Sequence, residues 1–469
     1  MPAKRRQVTA RPSAQTRAAK SQPTAKRSAK PSPKTRPRRP EAALARAQRV
    51  VTPSAAPVVA SKKLLVRAGV SAGTRYPVLV GSGLLSGRCP ELDDALATRR
   101  AALLVVDAGL SPAMIEPLIK RLEARSLRWG VCVVRASEDD KSIETLQRVL
   151  AEAARLRLER RDAIIALGGG ITTDLAGFAA SIYRRGIDVI QCPTSLLAMV
   201  DAAVGGKTAV NITVPGEHGE GGSKARLLKN MVGAFHPPAL VICDVATLAT
   251  LPSRELRAGL AECFKHALIG KSLGDAQLSD FTRKALPDLL RGNQPALAQL
   301  VHRNTACKAR IVQLDERETS TKPDGGRMML NLGHTFAHAI ETLQGLSWRT
   351  ASGQLQIGPL KHGEAVALGL LCATRTAESL KLLKPATKSA RPVSIELEQT
   401  LRQADLPTTV LGLPPAEMIL RRMFDDKKVD AGRLRLILPK TGGLCVVRDD
   451  IPASVILDAI RSIASTATN

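Results

Sequence analysis

At 469 residues with 44% hydrophobic content, the chain is long enough for two domains with substantial cores. Its eight cysteines, scattered without a CxxC pair, fit reduced thiols rather than a disulfide framework. No apolar run reaches the length of a membrane span and no apolar h-region follows the N-terminus, so membrane insertion and secretion are not expected, and a cytoplasmic protein is. The formal charge of +27 is uneven, because residues 1–60 hold fifteen Lys and Arg against the single acid Glu41, about half of the total.

Taken in chain order, residues 1–61 combine these cations with Ala, Ser, Thr and nine prolines and contain no aromatic ring, a composition that cannot bury a core. A disordered basic tail is expected there, with weak nucleic-acid adhesion or organelle targeting as secondary readings. From Lys62 short β-rich runs alternate with helical stretches: "AALLVVDAG" at 101, "RWGVCVVRA" at 128, "DAIIALGGG" at 162, "IDVIQCPTS" at 187 and "ALVICDV" at 239. Strands separated by helices imply a parallel sheet covered on both faces, with ligands beyond the carboxyl ends of its strands. This α/β domain is expected over 62–250. A mainly α-helical domain is expected over 251–469, with one strand signal near its end, "GRLRLILPKTGGLCVV". Inserts at 212–229, 319–326 and 343–361 read as surface loops.

Several motifs carry chemistry. Gly168, Gly169 and Gly170 follow an apolar strand and precede a helix, where glycine lets backbone N–H groups approach a pyrophosphate, although the spacing is not a GxGxxG fingerprint. "DAAVGGKTAVN" brings Asp201 and a Gly-Gly-Lys turn ending at Lys207, and "LLKNMVGAFHPP" brings Lys229 and Asn230. Glu262 and Lys265 share one helix face. In "NLGHTFAHAIETL", read as one amphipathic helix, His334 and His338 are four apart, and spacing alone makes both of them ligands. His362 and Glu262 extend them to a donor set suited to zinc or another divalent ion. Arg327 lies seven residues before His334, so on a continuous helix both face one pocket. With Lys308, Asn331, Lys427 and Lys428 these residues outline a site for a small substrate bearing several negative charges.

In order, "GGGITTDLAGF", "RRGIDVIQCPTSLLAMVDAAVGGKTAVN", "KNMVGAFHPP", "LPSRELRAGLAECFKHALI", "NLGHTFAHAIE", "HGEAV" and "DDKKVDAG" resemble the 3-dehydroquinate synthase family of sugar-phosphate cyclases over about residues 62–450. The resemblance implies an α/β plus α fold, a Rossmann-like parallel-sheet domain followed by a mainly α-helical metal-binding domain. It implies bound NAD, a divalent metal (zinc, with cobalt as the alternative) and a phosphorylated sugar acid as substrate. The metal ligands would be Glu262, His334 and His362, leaving His338 to the substrate. Gly169, Gly170 and Asp174 would line the pyrophosphate, Asp107, Glu138 and Lys141 the adenosine half, while Thr194, Ser195 and Lys229 approach the cofactor. Asp201 and Lys265 would meet ring hydroxyls, and Lys308 and Arg327 the carboxylate. Lys207, Asn230, Asn331, His338 and one of Lys427 or Lys428 would surround the phosphate. Arg185 would reach a neighbouring subunit's phosphate site, which implies a homodimer. The implied reaction oxidises a substrate alcohol transiently, eliminates phosphate, re-reduces the ketone and closes a ring by an aldol step. Another sugar-phosphate cyclase and a metal-dependent alcohol dehydrogenase are the alternatives.

Overall fold

The computed structural model describes residues 64–69, 75–214, 226–320, 322–323, 326–385, 387, 389–424, 429–430 and 433–465. The basic segment 1–61, Lys427, Lys428 and positions 215–225 of the first insert lie outside the described residues.

All five apolar runs form strands: β3 (Ala101–Asp107), β4 (Arg128–Val134), β5 (Ala163–Gly168), β6 (Asp188–Pro193) and β9 (Leu240–Asp244), joined in one sheet by β1 (Leu64–Gly69) and β2 (Arg75–Gly81). The sheet order is β1-β2-β9-β6-β5-β3-β4, parallel except for the antiparallel β1–β2 edge. Its inner strands are apolar at successive positions because both faces are covered. Leu103 and Val105 enter one apolar cluster, while Ala102, Leu104 and Val106 enter another. Four helices follow the strands: α1 (Pro90–Ala97), α2 (Pro112–Glu123), α3 (Ile143–Arg155) and α4 (Gly170–Ile182). The chain runs outward from β3 to β4, then returns to place β5 on the other side of β3, so the strand order reverses between β3 and β5. Asp107 and Gly168, at the carboxyl ends of those two strands, flank the crevice where open α/β sheets take ligands.

β7 (Lys207–Val214) and β8 (Arg226–Phe235) pair as an antiparallel ribbon outside the main sheet, so both flanks of the 212–229 insert are strand rather than loop. Beyond the sheet the chain is mainly helical: α5 (Ser253–Leu268), α6 (Leu278–Leu290), α7 (Gln294–Leu314), α8 (His334–Glu341), α9 (His362–Ser379), α10 (Val393–Gln403), α11 (Ala416–Phe424) and α12 (Ala453–Arg461). The insert 343–361 contains a small hairpin, β10 (Ser347–Arg349) with β11 (Leu355–Ile357). Two further short pairs, β12 (Val429–Asp430) with β13 (Arg433–Leu434) and β14 (Leu436–Lys440) with β15 (Leu444–Arg448), follow α11, the latter where the strand signal was read. The architecture is thus a Rossmann-like parallel sheet followed by a mainly helical region. No described helix is long and apolar enough to cross a membrane.

One helix expected from the sequence is broken. Residues 326–331 form a separate 3-10 turn, and Gly333, at φ 76°, starts α8 afresh, so Arg327 and His334 do not share a helix face. The left-handed backbone favours glycine there, and a β-carbon would also crowd the Gly369–Leu370 backbone of α9. A second close approach joins α9 to α5, where a β-carbon at position 363 would overlap the Ala258 carbonyl. Gly363→Ala is therefore expected to destabilise the fold by about 1–3 kcal/mol through overpacking. Urea unfolding checks this, and a midpoint equal to wild type would show that the two helices separate without cost.

Candidate active site

The three closely packed helices each bring one donor to a common point. Glu262, on the third turn of α5, is 0% exposed, His334 is the first residue of α8, and His362 is the first residue of α9. Their ligand atoms lie within 4.8 Å of one another, the one such group of three found among the described residues. Nε2 of His334 and Nε2 of His362 each stand 3.4 Å from Oε1 of Glu262. That is long for a charge-assisted hydrogen bond, but with bonds of about 2.0–2.1 Å to a tetrahedral metal, neighbouring donors are about 3.4 Å apart. Neither Glu262 oxygen has a well-formed hydrogen bond, although Lys265 is in ion-pair contact with Oε2. A buried carboxylate in that condition fits a divalent cation.

The tautomer of His334 agrees with this fit. Nδ1 of His334 lies 3.1 Å from the Leu332 carbonyl, which can only accept, so Nδ1 carries the hydrogen and Nε2 the lone pair. Burial pushes His334 down to about 4, against the pull of Glu262, so the imidazole is neutral at pH 7. Burial also disfavours charge on His362, yet the facing carboxylates of Glu262 and Glu341 outweigh it and raise the ring to about 10. Its ring is still 33% exposed, so solvent screens part of that pull. Burial acts to raise Glu262 too, but Lys265 foremost holds its carboxyl well below the usual range. His338 is exposed, with its ring centroid 5.7 Å from that of His334 and 6.4 Å from that of His362, and does not belong to the three-donor group.

Around this point stands a network of paired charges. Asp201 sits in a π-helical turn over Ala198–Ala202, a form that recurs at functional sites, and its Oδ1 is 2.6 Å from Lys308 Nζ. Burial would raise Asp201, but Lys308 and then Lys265 hold it far below the ordinary carboxylate value. Burial in turn pushes Lys308 down to about 8 despite Asp201. Arg327 is 2% exposed, its guanidinium donating to the carbonyls of Gly205 and Glu316. Lys207 pairs with Glu318, which also accepts from Asn331 Nδ2 at 2.8 Å.

The residues expected at the dinucleotide gather at the carboxyl end of the sheet. Gly169 is the N-cap of α4 and brings no capping side chain, which leaves the first N–H groups of that helix for an anion. Thr194 donates its N–H to the Gly168 carbonyl, and the Ser195 hydroxyl lies beside Gly169. Lys141, 4% exposed, sits 2.5 Å from Asp174 and 2.5 Å from Asn230 Oδ1. Lys229 lies between Glu138 at 3.2 Å and Glu341 at 2.8 Å. The structure thus puts Asn230 beside the Lys141–Asp174 pair and brings Lys229 to Glu341, which also meets His362. Arg185 is exposed in a turn with φ 66°.

Three acids in this site escaped the sequence reading. Glu318 and Asp315 sit in the charged run "LDERE", where they resemble any solvated acid, and Glu341 ends "HAIE". A signal existed for Glu341, seven residues after His334 and hence two turns along the same face. Asp315 accepts backbone N–H bonds from Thr319 at 2.9 Å, Ser320 at 3.4 Å and Arg327 at 2.9 Å, and so ties the 319–326 insert around itself.

Comparison with known proteins is consistent with this geometry. Family models described as 3-dehydroquinate synthase N-terminal and C-terminal match residues 131–258 and 259–429. A 3-dehydroquinate synthase from Rhizobium etli is 37% identical over 390 residues, covering 82% of this chain and 93% of the relative. One from Xylella fastidiosa is 42% identical over 397 residues, covering 84% and 90%. Among solved structures, a 2-epi-5-epi-valiolone synthase from Streptomyces hygroscopicus with NAD+ and Zn2+ bound aligns with TM-score 0.67 at 28% identity, covering 85% of this chain and 99% of that one. An iron-containing alcohol dehydrogenase aligns with TM-score 0.53 at 14% identity, covering 83% and 97%, a likeness of fold alone.

The role of Asp315 is open to direct measurement. Asp315→Ala leaves three backbone donors without their acceptor, and a loss of about 1–3 kcal/mol of stability is expected. Amide hydrogen exchange at Thr319, Ser320 and Arg327 should speed up in the variant, and unchanged protection would remove Asp315 from the placement of Arg327.

Proposed function

The chain belongs to the 3-dehydroquinate synthase family, and on that premise we propose that it converts 3-deoxy-D-arabino-heptulosonate 7-phosphate into 3-dehydroquinate and inorganic phosphate, as a carbon–oxygen lyase of the shikimate pathway. The observation that carries this reading is the burial of Lys308 and Arg327, 6% and 2% exposed, among the same charged side chains that surround the Glu262–His334–His362 cluster. A cyclase whose substrate lacks a carboxylate has no use for that pair of cations. When bound, NAD+ supplies a reversible hydride acceptor for the substrate's C5 alcohol, and a divalent metal, zinc or cobalt, supplies a Lewis acid for its oxygen.

The remaining work falls to the chain's own side chains. Glu262, His334 and His362 hold the metal. The Gly169–Gly170 turn and Asp174 face the pyrophosphate, with Asp107, Glu138 and Lys141 toward the adenosine half and Thr194, Ser195 and Lys229 nearer the reacting end. Asp201 and Lys265 orient ring hydroxyls, while Lys308 and Arg327 take the carboxylate. Lys207, Asn331, His338 and Asn230 receive the phosphate, joined by Lys427 or Lys428. Lys207 and Asn331 are held by Glu318 without substrate, so an arriving phosphate displaces a carboxylate from both. Their positive and amide N–H groups then stabilise the charge that develops as phosphate departs. We place the enzyme in the cytoplasm as a homodimer, with Arg185 reaching the phosphate site of the second copy.

Two measurements test this reading. Purified protein should release phosphate from the heptulosonate phosphate with catalytic amounts of NAD+. Steady accumulation of NADH, read at roughly 340 nm, would instead favour the dehydrogenase alternative. His334→Ala should lose its metal and all turnover, whereas His338→Ala should keep metal near the wild-type content and lose kcat, because a donor at the departing phosphate is missing. Equal metal loss in both variants would make the pair the simple i, i+4 clamp that spacing alone implies.

A further inference from the structure

The two histidines of the metal cluster are oriented by different kinds of partner. His334 gives its Nδ1 hydrogen to the Leu332 backbone carbonyl, which is neutral and fixed by the fold. His362 instead turns Nδ1 to the Oε2 of Glu341, at 3.2 Å. Glu341 is the last residue of α8, its side chain is 10% exposed, and its other oxygen is 2.8 Å from Lys229 Nζ. Lys229 belongs to β8 of the ribbon and is shared with Glu138, 3.2 Å away. The second oxygen of Glu138 accepts from Asn211 on β7 at 2.8 Å. A continuous chain of contacts, Glu138–Lys229–Glu341–His362, therefore runs from the edge of the dinucleotide crevice to the metal cluster. His334 is not part of it.

We propose that Glu341 is a positioning residue that sets the ring of His362 for metal binding and, through Lys229, couples that binding to occupancy of the dinucleotide site. The proposal rests on the reading that the cluster holds a metal and that Glu138 and Lys229 meet NAD+. The physical argument is a competition for one cation. A carboxylate at Nδ1 keeps that hydrogen in place, points Nε2 at Glu262 and makes Nε2 a more basic ligand. Lys229 weakens this effect while it neutralises Glu341. A dinucleotide that draws Lys229 away leaves Glu341 acting on His362 alone, so metal binds more tightly. By linkage, metal then strengthens dinucleotide binding by the same factor.

Metal-stripped full-length protein titrated with Co2+, with and without NAD+, tests both halves through the visible absorption of the bound ion. In wild type, NAD+ should tighten Co2+ binding by about fivefold or more. Glu341→Ala should weaken Co2+ by about 10–100-fold and remove the NAD+ effect. Glu341→Gln, which keeps an acceptor for Nδ1 but has no charge for Lys229, should lose less affinity yet also lose the NAD+ effect. Lys229→Met alters neither α8 nor α9, so it carries the coupling test even if Glu341→Ala folds poorly; it should abolish the NAD+ effect. Wild-type Co2+ affinity in a folded Glu341→Ala protein overturns the positioning role, and a wild-type NAD+ effect in Lys229→Met overturns the coupling. Glu262→Gln separates this inference from the reading beneath it. If that variant loses Co2+ while Glu341→Ala does not, only the present inference falls. If neither loses it, the metal site falls and takes the inference with it.

Discussion

A carboxylate with no exposure, placed where three helices meet, is the constraint around which the helical part of this molecule is arranged. Removing Glu262 from water is unfavourable unless positive charge surrounds it; Lys265 and His362 supply part of that charge, and a cation held between Glu262 and the Nε2 lone pair of His334 would supply the rest. To reach it, the first turns of α8 and α9 have to come within a side chain's length of the middle of α5. Ordinary side chains at the contact points would hold those helices apart. The absence of a β-carbon at Gly363 lets α9 meet α5 at the Ala258 carbonyl, and Gly333 with Gly369 does the same for α8 and α9. The backbone contacts and the buried charge are thus two parts of one solution: the helices pack closely so that the carboxylate has partners, and the partners hold the helix ends together.

Much of the fold was legible in the sequence because a sheet covered on both faces requires continuous apolar runs, and β3, β5 and β9 consist of little else. The ribbon was not legible: β7, KTAVNITV, and β8, RLLKNMVGAF, lie outside the main sheet and have neither a continuous apolar run nor a strict polar–apolar alternation, and the insert between them separates the two partners. The break between Arg327 and His334 was hidden as well. Hydrophobic spacing runs through "MMLNLGHTF" without interruption, and only the left-handed Gly333 divides a 3-10 turn from α8. Asp201 stood out as an acid beside a glycine turn, but nothing in its neighbours announces a π-helical turn.

The charged residues divide in the same way. Glu262, His334 and His362 are recognisable because each sits in a distinctive motif, and the fold brings the three together from a stretch of chain that spans a hundred residues. Glu318 has no such local mark, and Glu341 has only its spacing of two turns from His334. What makes them important is the partner they find across the site, Lys207 with Asn331 for one and His362 with Lys229 for the other. A glutamate in a run of charged residues has the same local sequence whether it faces water or a buried lysine, so only the tertiary fold can separate the two cases.

These pairings bear on how a polyanionic substrate would be received. On the proposed reading the cations that contact it are already engaged: Lys308 with Asp201, Lys207 with Glu318, Lys265 with Glu262, and Arg327 with two backbone carbonyls. Buried lysines left alone would repel one another and tend to lose their protons, as the downward shift of Lys308 to about 8 shows even with a partner present. Protein acids keep them charged and in place. Binding is then an exchange of one anion for another, in which a phosphate or carboxylate takes over contacts that an Asp or Glu had held, rather than a fresh desolvation of both sides. Such an exchange costs less reorganisation, and it also favours a ligand able to satisfy several of these cations at once, since a ligand that displaces one acid without replacing its charge elsewhere leaves a buried group unpaired.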